Sequence, residues 1–387
     1  MIYAYYLFMF FGLGVFLPFL SVYFVETTPM RASQVTLMMA FVPVIQFFST
    51  NFFAFLSDKT RKYKPILVFA TLCTIASCLF LGYVARFELV ALVIVAYAIF
   101  AFFMQSPSQL SENFVLQYSN ERNIPYGRLR LFGSLGYAIA GYFGGALTQE
   151  FGLSIIFIVY AICLSTPLVL VNKFPDIKEV EREQKEDIPK DSNIYKRLFA
   201  NKRFVVLLSV SFFILASISV IATFFGIYIT EHVGLDLKFL GLTTLISAGT
   251  EIPMMFFSNK LIDKFGAYKI LAVAAILNAM RFIVYLMFPV RSVILLVTAT
   301  HGIGYGSAFT SIIHLIDKEI PANIRASALS LNTTLAMGIG TSVITILGST
   351  FFNARTVFGL LAFFEVCGLA ICLYLINTTK EDETLVI

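Results

Sequence analysis

Few residues in this chain can do chemistry, and most of those stand in apolar surroundings. Glu112 precedes Gly127 by fifteen residues, and Gly127 follows Tyr126 and opens the run Gly127-Arg128-Leu129-Arg130-Leu131-Phe132-Gly133. This places an acid near the end of one apolar segment and a base at the start of the next. Charges kept in such surroundings need partners and a reason. In the second half, Glu251, Arg281 and His301 lie deep inside apolar segments. Two readings fit these three: a structural ion pair between Glu251 and Arg281, or groups that handle a substrate or protons. Pro253 follows Glu251 closely and frees the Gly249 carbonyl, leaving an acceptor beside a carboxylate.

The elements that position these groups follow from composition. Of 387 residues, 58% are hydrophobic and 13% charged, about half the charge of a soluble domain. A bilayer core needs about 20 apolar residues of helix. Twelve such runs are predicted, near 2–25, 34–56, 65–85, 89–118, 128–149, 153–173, 203–230, 239–260, 269–288, 293–316, 326–349 and 356–378. The first run is longer than a signal-peptide core and has no basic start, so it reads as a spanning helix. A charge at the centre of a bilayer costs roughly 2.5–3.5 kcal/mol on insertion scales. Glu251, Arg281 and His301 are predicted too deep to snorkel to the interface. Glu112 and Arg130 are shallower, and depth alone leaves a pair at the membrane edge equally open.

The one long polar stretch, 174–202, holds the cluster from Lys178 to Asp187 between Pro175 and Pro189. It divides the chain into bundles 1–173 and 203–387, the second ending in a short tail. Basic residues concentrate in alternate loops, among them Lys59, Arg61, Lys62, Lys64, Arg122, Arg128, Lys260, Lys264, Lys269, Lys318 and Arg325. The positive-inside rule puts these loops and both termini in the cytoplasm of a multi-pass cell-membrane protein. The net charge of +5 then reports orientation, and nucleic acid is not an expected partner. The five cysteines fall in apolar segments without metal-ligand spacing. With no nucleophile elbow, Walker A loop or zinc motif, the expectation is a protein that is not an enzyme and uses no cofactor or metal.

An internal repeat supports the two halves. Asp58-Lys59 and Asp263-Lys264 each close the second helix of a half, at an offset of 205 residues. The surrounding loops resemble the G-x-x-x-D-[RK]-x-G-[RK]-[RK] loop of the major facilitator superfamily. The first copy has Ala54 and Arg61 at the glycine positions; the second has Asn259 and keeps Gly266. The resemblance implies an all-α membrane protein of twelve transmembrane helices in two pseudo-symmetric six-helix bundles, with Asp58, Lys59, Asp263 and Lys264 in gating loops. The fifth helix carries two small-residue series, Gly133/Gly141/Gly145 and Gly136/Ala140/Gly144, suited to close helix packing in lipid.

The segment from Glu112 to Gly133 resembles the lactose permease branch of that superfamily, which includes nucleoside and phenylpropionate proton symporters. The likeness puts the substrate-binding pair on Glu112 and Arg130 and a stacking aromatic at Tyr137. Gln105, Gln109 and Asn113 accompany Glu112. The second half resembles the branch through Glu251-Ile252-Pro253, Arg281 and His301-Gly302-Ile303-Gly304-Tyr305-Gly306. It assigns His301 to the substrate and, together with Arg281, to proton coupling. The branch's proton-carrying carboxylate would fall on Gly304, so Glu251 becomes the leading proton carrier here. Glu365, mid-helix in the last segment, is expected to be a packing or oligomer contact. Asn278, Asn332, Gln46 and Asn51 read equally well as cavity residues or interhelical hydrogen bonds. The expected function is proton-coupled uptake of a small polar organic solute by a monomer in the lipid bilayer, a sugar or nucleoside ahead of an aromatic acid. Export by the same fold, or a transport-dead receptor or assembly protein, are the alternatives.

Overall fold

The computed structural model describes residues 1–60, 63–122, 124, 126–174, 194–351 and 353–384. Arg61, Lys62 and the linker cluster with Pro175 and Pro189 lie outside the described residues. The regular elements described are all helical. Among the described residues, twelve long helices follow in order. In the first half they are α1 (Ile2–Thr27), α2 (Ala32–Ala40 and Val42–Thr60), α3 (Tyr63–Val84), α4 (Val90–Met104 and Ser106–Glu121), α5 (Tyr126–Phe151) and α6 (Ile155–Asn172). In the second half they are α7 (Lys202–His232), α8 (Leu237–Phe265), α9 (Ala267–Met287), α10 (Arg291–Glu319), α11 (Ala322–Thr350) and α12 (Arg355–Thr378). Eleven of them are long and apolar enough to cross a membrane. The twelfth, α5, is diluted by its glycines and by Arg128, Arg130 and Glu150, but its 26 residues reach about 39 Å at 1.5 Å per residue. These helices match the predicted spans to within a few residues.

Most of these helices are apolar on all sides, as lipid-embedded helices are. Large side chains such as Phe55 (64% exposed) and Leu296 (75%) therefore face outward. The linker ends in a short helix, Ile194–Ala200, which buries Ile194 and Leu198. Asn201 then caps α7 by accepting from the Arg203 and Phe204 amides.

The chain forms two compact units. The first holds Met1–Gln184 and Thr223–Ala248, and the second holds Lys185–Ala222 and Gly249–Ile387. The chain thus changes unit inside α7 and again inside α8, whereas the predicted bundles divide at the linker.

In the first unit α1 packs along α5 and α6. Phe16 stacks on Tyr160 with centroids 4.7 Å apart. The two small-residue series of α5 serve two partners. Gly136 and Gly144 lie against Leu7 and Val15 of α1, while Gly141 and Gly145 lie against Thr244 and Gly241 of α8. A Cβ on Gly145 would stand 3.0 Å from Gly241 Cα and 2.6 Å from the Leu237 carbonyl, so only glycine fits there. Gly133 does not join Gly141 and Gly145 as the sequence series grouped it. It makes room for Tyr6 and Phe10 of α1.

In the second unit α9 is central and packs on α12 and α10. Its core combines Leu271, Ala274 and Ala275 with Ile312, Leu315 and Ile316. Gly266, at φ 87°, makes the left-handed turn between α8 and α9, which is why the second copy of the loop motif keeps its glycine.

Candidate functional site

The first group of functional side chains is assembled by α1, α4 and α5. Pro107 removes one amide from α4 and breaks it at Gln105. The carbonyls released at the break find new donors. Ser49 of α2 donates to the Phe102 carbonyl, and Thr74 of α3 donates to the Phe103 carbonyl at 2.9 Å. This satisfaction is required where water is scarce. Removing one such hydroxyl, as in Thr74→Val, is expected to cost about 1 kcal/mol, read as a lower unfolding midpoint of the purified protein.

Two turns beyond the break, Glu112 forms an ion pair with Arg130 Nη1. Arg130 Nη1 also donates to Tyr6 Oη at 3.3 Å, and Tyr6 Oη lies 3.4 Å from Tyr126 Oη. The guanidinium rests 5.3 Å from the centre of the Phe10 ring. One residue before Glu112, Ser111 bonds Tyr5 Oη at 2.6 Å. Tyr6 is fully buried, but the side chains of Arg130 and Glu112 are 43% and 40% exposed. The pair is therefore anchored on one side and reachable on the other. Gln105 and Tyr137 are half-buried. Tyr137 stands seven residues after Arg130 on the unbroken α5 and shares its face, while Gln105 stands seven residues before Glu112 at the break itself.

Tyr6 and Phe10 were not singled out from the sequence. They sit among many aromatics on an uncharged helix, and only the four-residue spacing sets them apart. The side chain of Asn113 lies outside the described residues.

The second group lies on α7 to α10 and α12. Arg281 is 1% exposed, and none of its three guanidinium nitrogens has a hydrogen-bond partner in the protein. It forms no ion pair with Glu251, which corrects the structural-pair reading. Its electrostatic partners are Tyr285 and Glu365. Glu251 is half-buried on α8 and has contacts of its own. His301 senses Arg281 electrostatically. Its ring stacks on Tyr305 at 6.0 Å and 5°, and Tyr305 stacks on Phe309.

The glycines of the His301–Gly306 motif have a clear purpose. Gly302 lies directly against the backbone of Thr250 and Glu251, and Gly306 faces Met254 and the Glu251 carbonyl. The two sequence motifs of this half are thus the two sides of one helix crossing. Gly304 faces the Asn278 side-chain amide, which a Cβ at that position would displace. Asn278 is fully buried.

Glu365 is 0% exposed and accepts a hydrogen bond from Ser217 Oγ at 2.7 Å. An oligomer contact is thereby excluded. Of the loop residues, Asp58 lies on the last turn of α2 with its side chain outside the described residues. Lys59 is exposed, 5.9 Å from the Phe55 ring. Asp263 and Lys264 are exposed at the end of α8, and Lys264 lies 5.2 Å from the Phe265 ring.

Comparison with known proteins gives a consistent picture. The model of the family described as "MFS_1 like family" matches residues 1–362. The chain is 29% identical over 386 residues to the uncharacterized transporter YwbF of Bacillus subtilis (strain 168), covering 99% of this chain and 94% of that one. It is 25% identical over 382 residues to the maltose permease of Geobacillus stearothermophilus, covering 98% and 94%. The fold matches the crystal structure of the nucleoside transporter NupG with a TM-score of 0.83 at 14% identity, covering 96% and 97% of the two chains.

Proposed function

From the premise that this chain belongs to the MFS_1-like family of major facilitator transporters, we propose that it takes up a small polar organic solute together with protons, by alternating access. It is a multi-pass membrane transporter and not an enzyme. The observation that carries the solute reading is the Glu112–Arg130 pair, anchored by Tyr6 and exposed on its other side. Donors and acceptors side by side suit a neutral molecule bearing several hydroxyls. A solute with a single carboxylate would engage Arg130 and be repelled by Glu112. A sugar or nucleoside is therefore favoured over an aromatic acid, and the maltose permease relative supports a sugar. Tyr137 and Gln105, two turns away on either helix, extend the binding surface.

Coupling is assigned to the second unit, around Arg281, with His301 and Glu251 on the solute side. Asp58, Lys59, Asp263 and Lys264 gate the cytoplasmic loops. The bundles 1–173 and 203–387 are the bodies that alternate, joined by the linker 174–202. The protein acts as a monomer in the cell membrane with both termini cytoplasmic.

The test is external pH in de-energised cells expressing the protein, on addition of maltose, xylose, uridine or phenylpropionate. Alkalinisation with a sugar or nucleoside, lost in Glu112→Gln and Arg130→Gln, is the expected result. No pH change with any of the four, with the protein confirmed in the membrane, removes the proton-coupled reading. Higher retention of one of these solutes in cells lacking the protein would favour export.

A further inference from the structure

Glu365 lies where no family motif points. Its carboxyl is completely buried on α12, with Oε1 held by Ser217 of α7 and Oε2 without a partner in the protein. The elements packed around it leave it a single compensating cation. α7 carries no ionisable residue between Phe204 and Ile227, and α11 carries none from Ala326 to Thr350. α9 contributes Arg281, which interacts electrostatically with Glu365, and Tyr285, which interacts with Arg281 and bonds Thr298 at 2.9 Å. His301 reaches this cluster only through Arg281. On α12 itself the titratable neighbour is the buried Cys372.

Arg281 and Glu365 are both sealed and near enough to interact, yet no ion pair joins them. A buried pair that is not joined keeps the desolvation cost of both charges without the contact that offsets it. Groups buried to 0% and 1% leave no room for a solute, but a proton needs none.

The hydrogen bonding at Ser217 supplies a second argument. Ser217 Oγ lies 2.7 Å from Glu365 Oε1, 2.8 Å from the Phe213 carbonyl and 2.9 Å from the Ile214 carbonyl. A hydroxyl has one proton to give and two lone pairs to receive with. When Ser217 donates to Phe213, the short contact to Glu365 needs a proton on the carboxyl. When Glu365 is ionised, Ser217 turns and donates to it. The site therefore has a bonded arrangement for each protonation state. Local backbone geometry makes it possible: α7 forms a π segment, Phe212–Ala216, immediately before Ser217. Gly368, one turn past Glu365, lets Ile214 approach to 2.6 Å from where a Cβ would stand.

We propose that Glu365 is the proton-binding carboxylate of the second unit, with Arg281 as its counter-charge and Ser217 as the hydroxyl that switches donor and acceptor roles. The step is a simple ionisation. Glu365–COOH releases its proton, its carboxylate is then balanced by Arg281, and reprotonation frees Arg281 again. Glu365 takes the place that the sequence alone offered to Glu251. The proposal rests on the proton-coupled reading above.

Two measurements test it separately from that reading. The first needs no solute: infrared spectra of the purified protein, titrated across pH, read the C=O stretch of a protonated buried carboxyl. The band is expected in the wild type, absent in Glu365→Gln, retained in Glu251→Gln and shifted in Ser217→Ala, which removes its hydrogen bond. A band unchanged in Glu365→Gln, or absent from the wild type at every pH, overturns the proposal. If Glu365→Gln does not fold, an unshifted band in Ser217→Ala overturns it instead.

The second measurement uses proteoliposomes with maltose, xylose and uridine as probes. One unit of pH gradient sustains about tenfold accumulation in one-proton symport. Glu365→Gln is expected to lose this accumulation and keep exchange. Accumulation by both wild type and Glu365→Gln overturns the assignment and leaves proton coupling standing. If the wild type accumulates none of the probes, the coupling reading itself fails.

Discussion

Replacing Arg130 by Gln is expected to weaken solute binding by about 10- to 100-fold, the loss of one charge-assisted hydrogen bond or slightly more. The fold should hardly notice. The two side chains are 43% and 40% exposed, and an ion pair that open to solvent contributes about 0–1 kcal/mol. Affinity and stability therefore separate at this position. Titration of the purified variant with the solute found by alkalinisation gives the first quantity, and its unfolding midpoint gives the second. A variant that lost stability and kept affinity would make the pair a strut between α4 and α5. Tyr6→Phe should behave as a weaker version, because it removes one acceptor at 3.3 Å from Arg130 and leaves the ion pair intact.

The second large effect is expected from Gly302→Ala, which adds a single methyl group. That methyl would be driven into the backbone of Thr250 and Glu251, and backbone cannot swing aside as a side-chain tip can. Overpacking of this kind costs typically 1–3 kcal/mol, enough to deplete the folded protein in the membrane. The control is Gly359→Ala on α12, where a Cβ meets nothing within 4 Å and better helix propensity should be neutral to stabilising. Folded yield and unfolding midpoint of the two variants, compared side by side, decide the matter. Equal stability would mean that α8 and α10 are not held at this crossing.

The architecture was largely readable because the membrane imposes it. Continuous apolar runs of about twenty residues can satisfy their backbone in lipid as helices of bilayer length, and twelve such stretches are visible in the sequence. The one helix that fails a simple hydropathy test, α5, is the one that carries Arg130 and the glycine series, since both features lower its apolar content. The Glu112–Arg130 pair was legible from spacing across one helix hairpin. Tyr6 was not, because its partner lies 124 residues away and nothing local marks one tyrosine among eighteen.

The second unit was harder to read. Glu251 and Arg281 looked like partners by depth, and depth says nothing about which faces meet. Arg281 interacts electrostatically with Glu365 of α12 instead. The glycines of the His301–Gly306 run were visible as a motif, but their purpose appears only when α10 is seen lying on α8. The break in α4 was signalled by Pro107. The hydroxyls that mend it, Ser49 and Thr74, lie on other helices and carried no mark of that duty.

The meeting of Gly145 with Gly241 has a mechanical consequence. No side chain stands between the two glycines, although Thr244 seats on Gly141 one turn along and Gln149 accepts from the Leu237 amide at 3.1 Å. Attraction between bare backbones is dispersion, which falls away steeply once atoms part by even an ångström. Such a contact has little middle ground: it is either made or gone. It behaves like a magnetic catch, firm while shut and quickly weakened once a small gap opens.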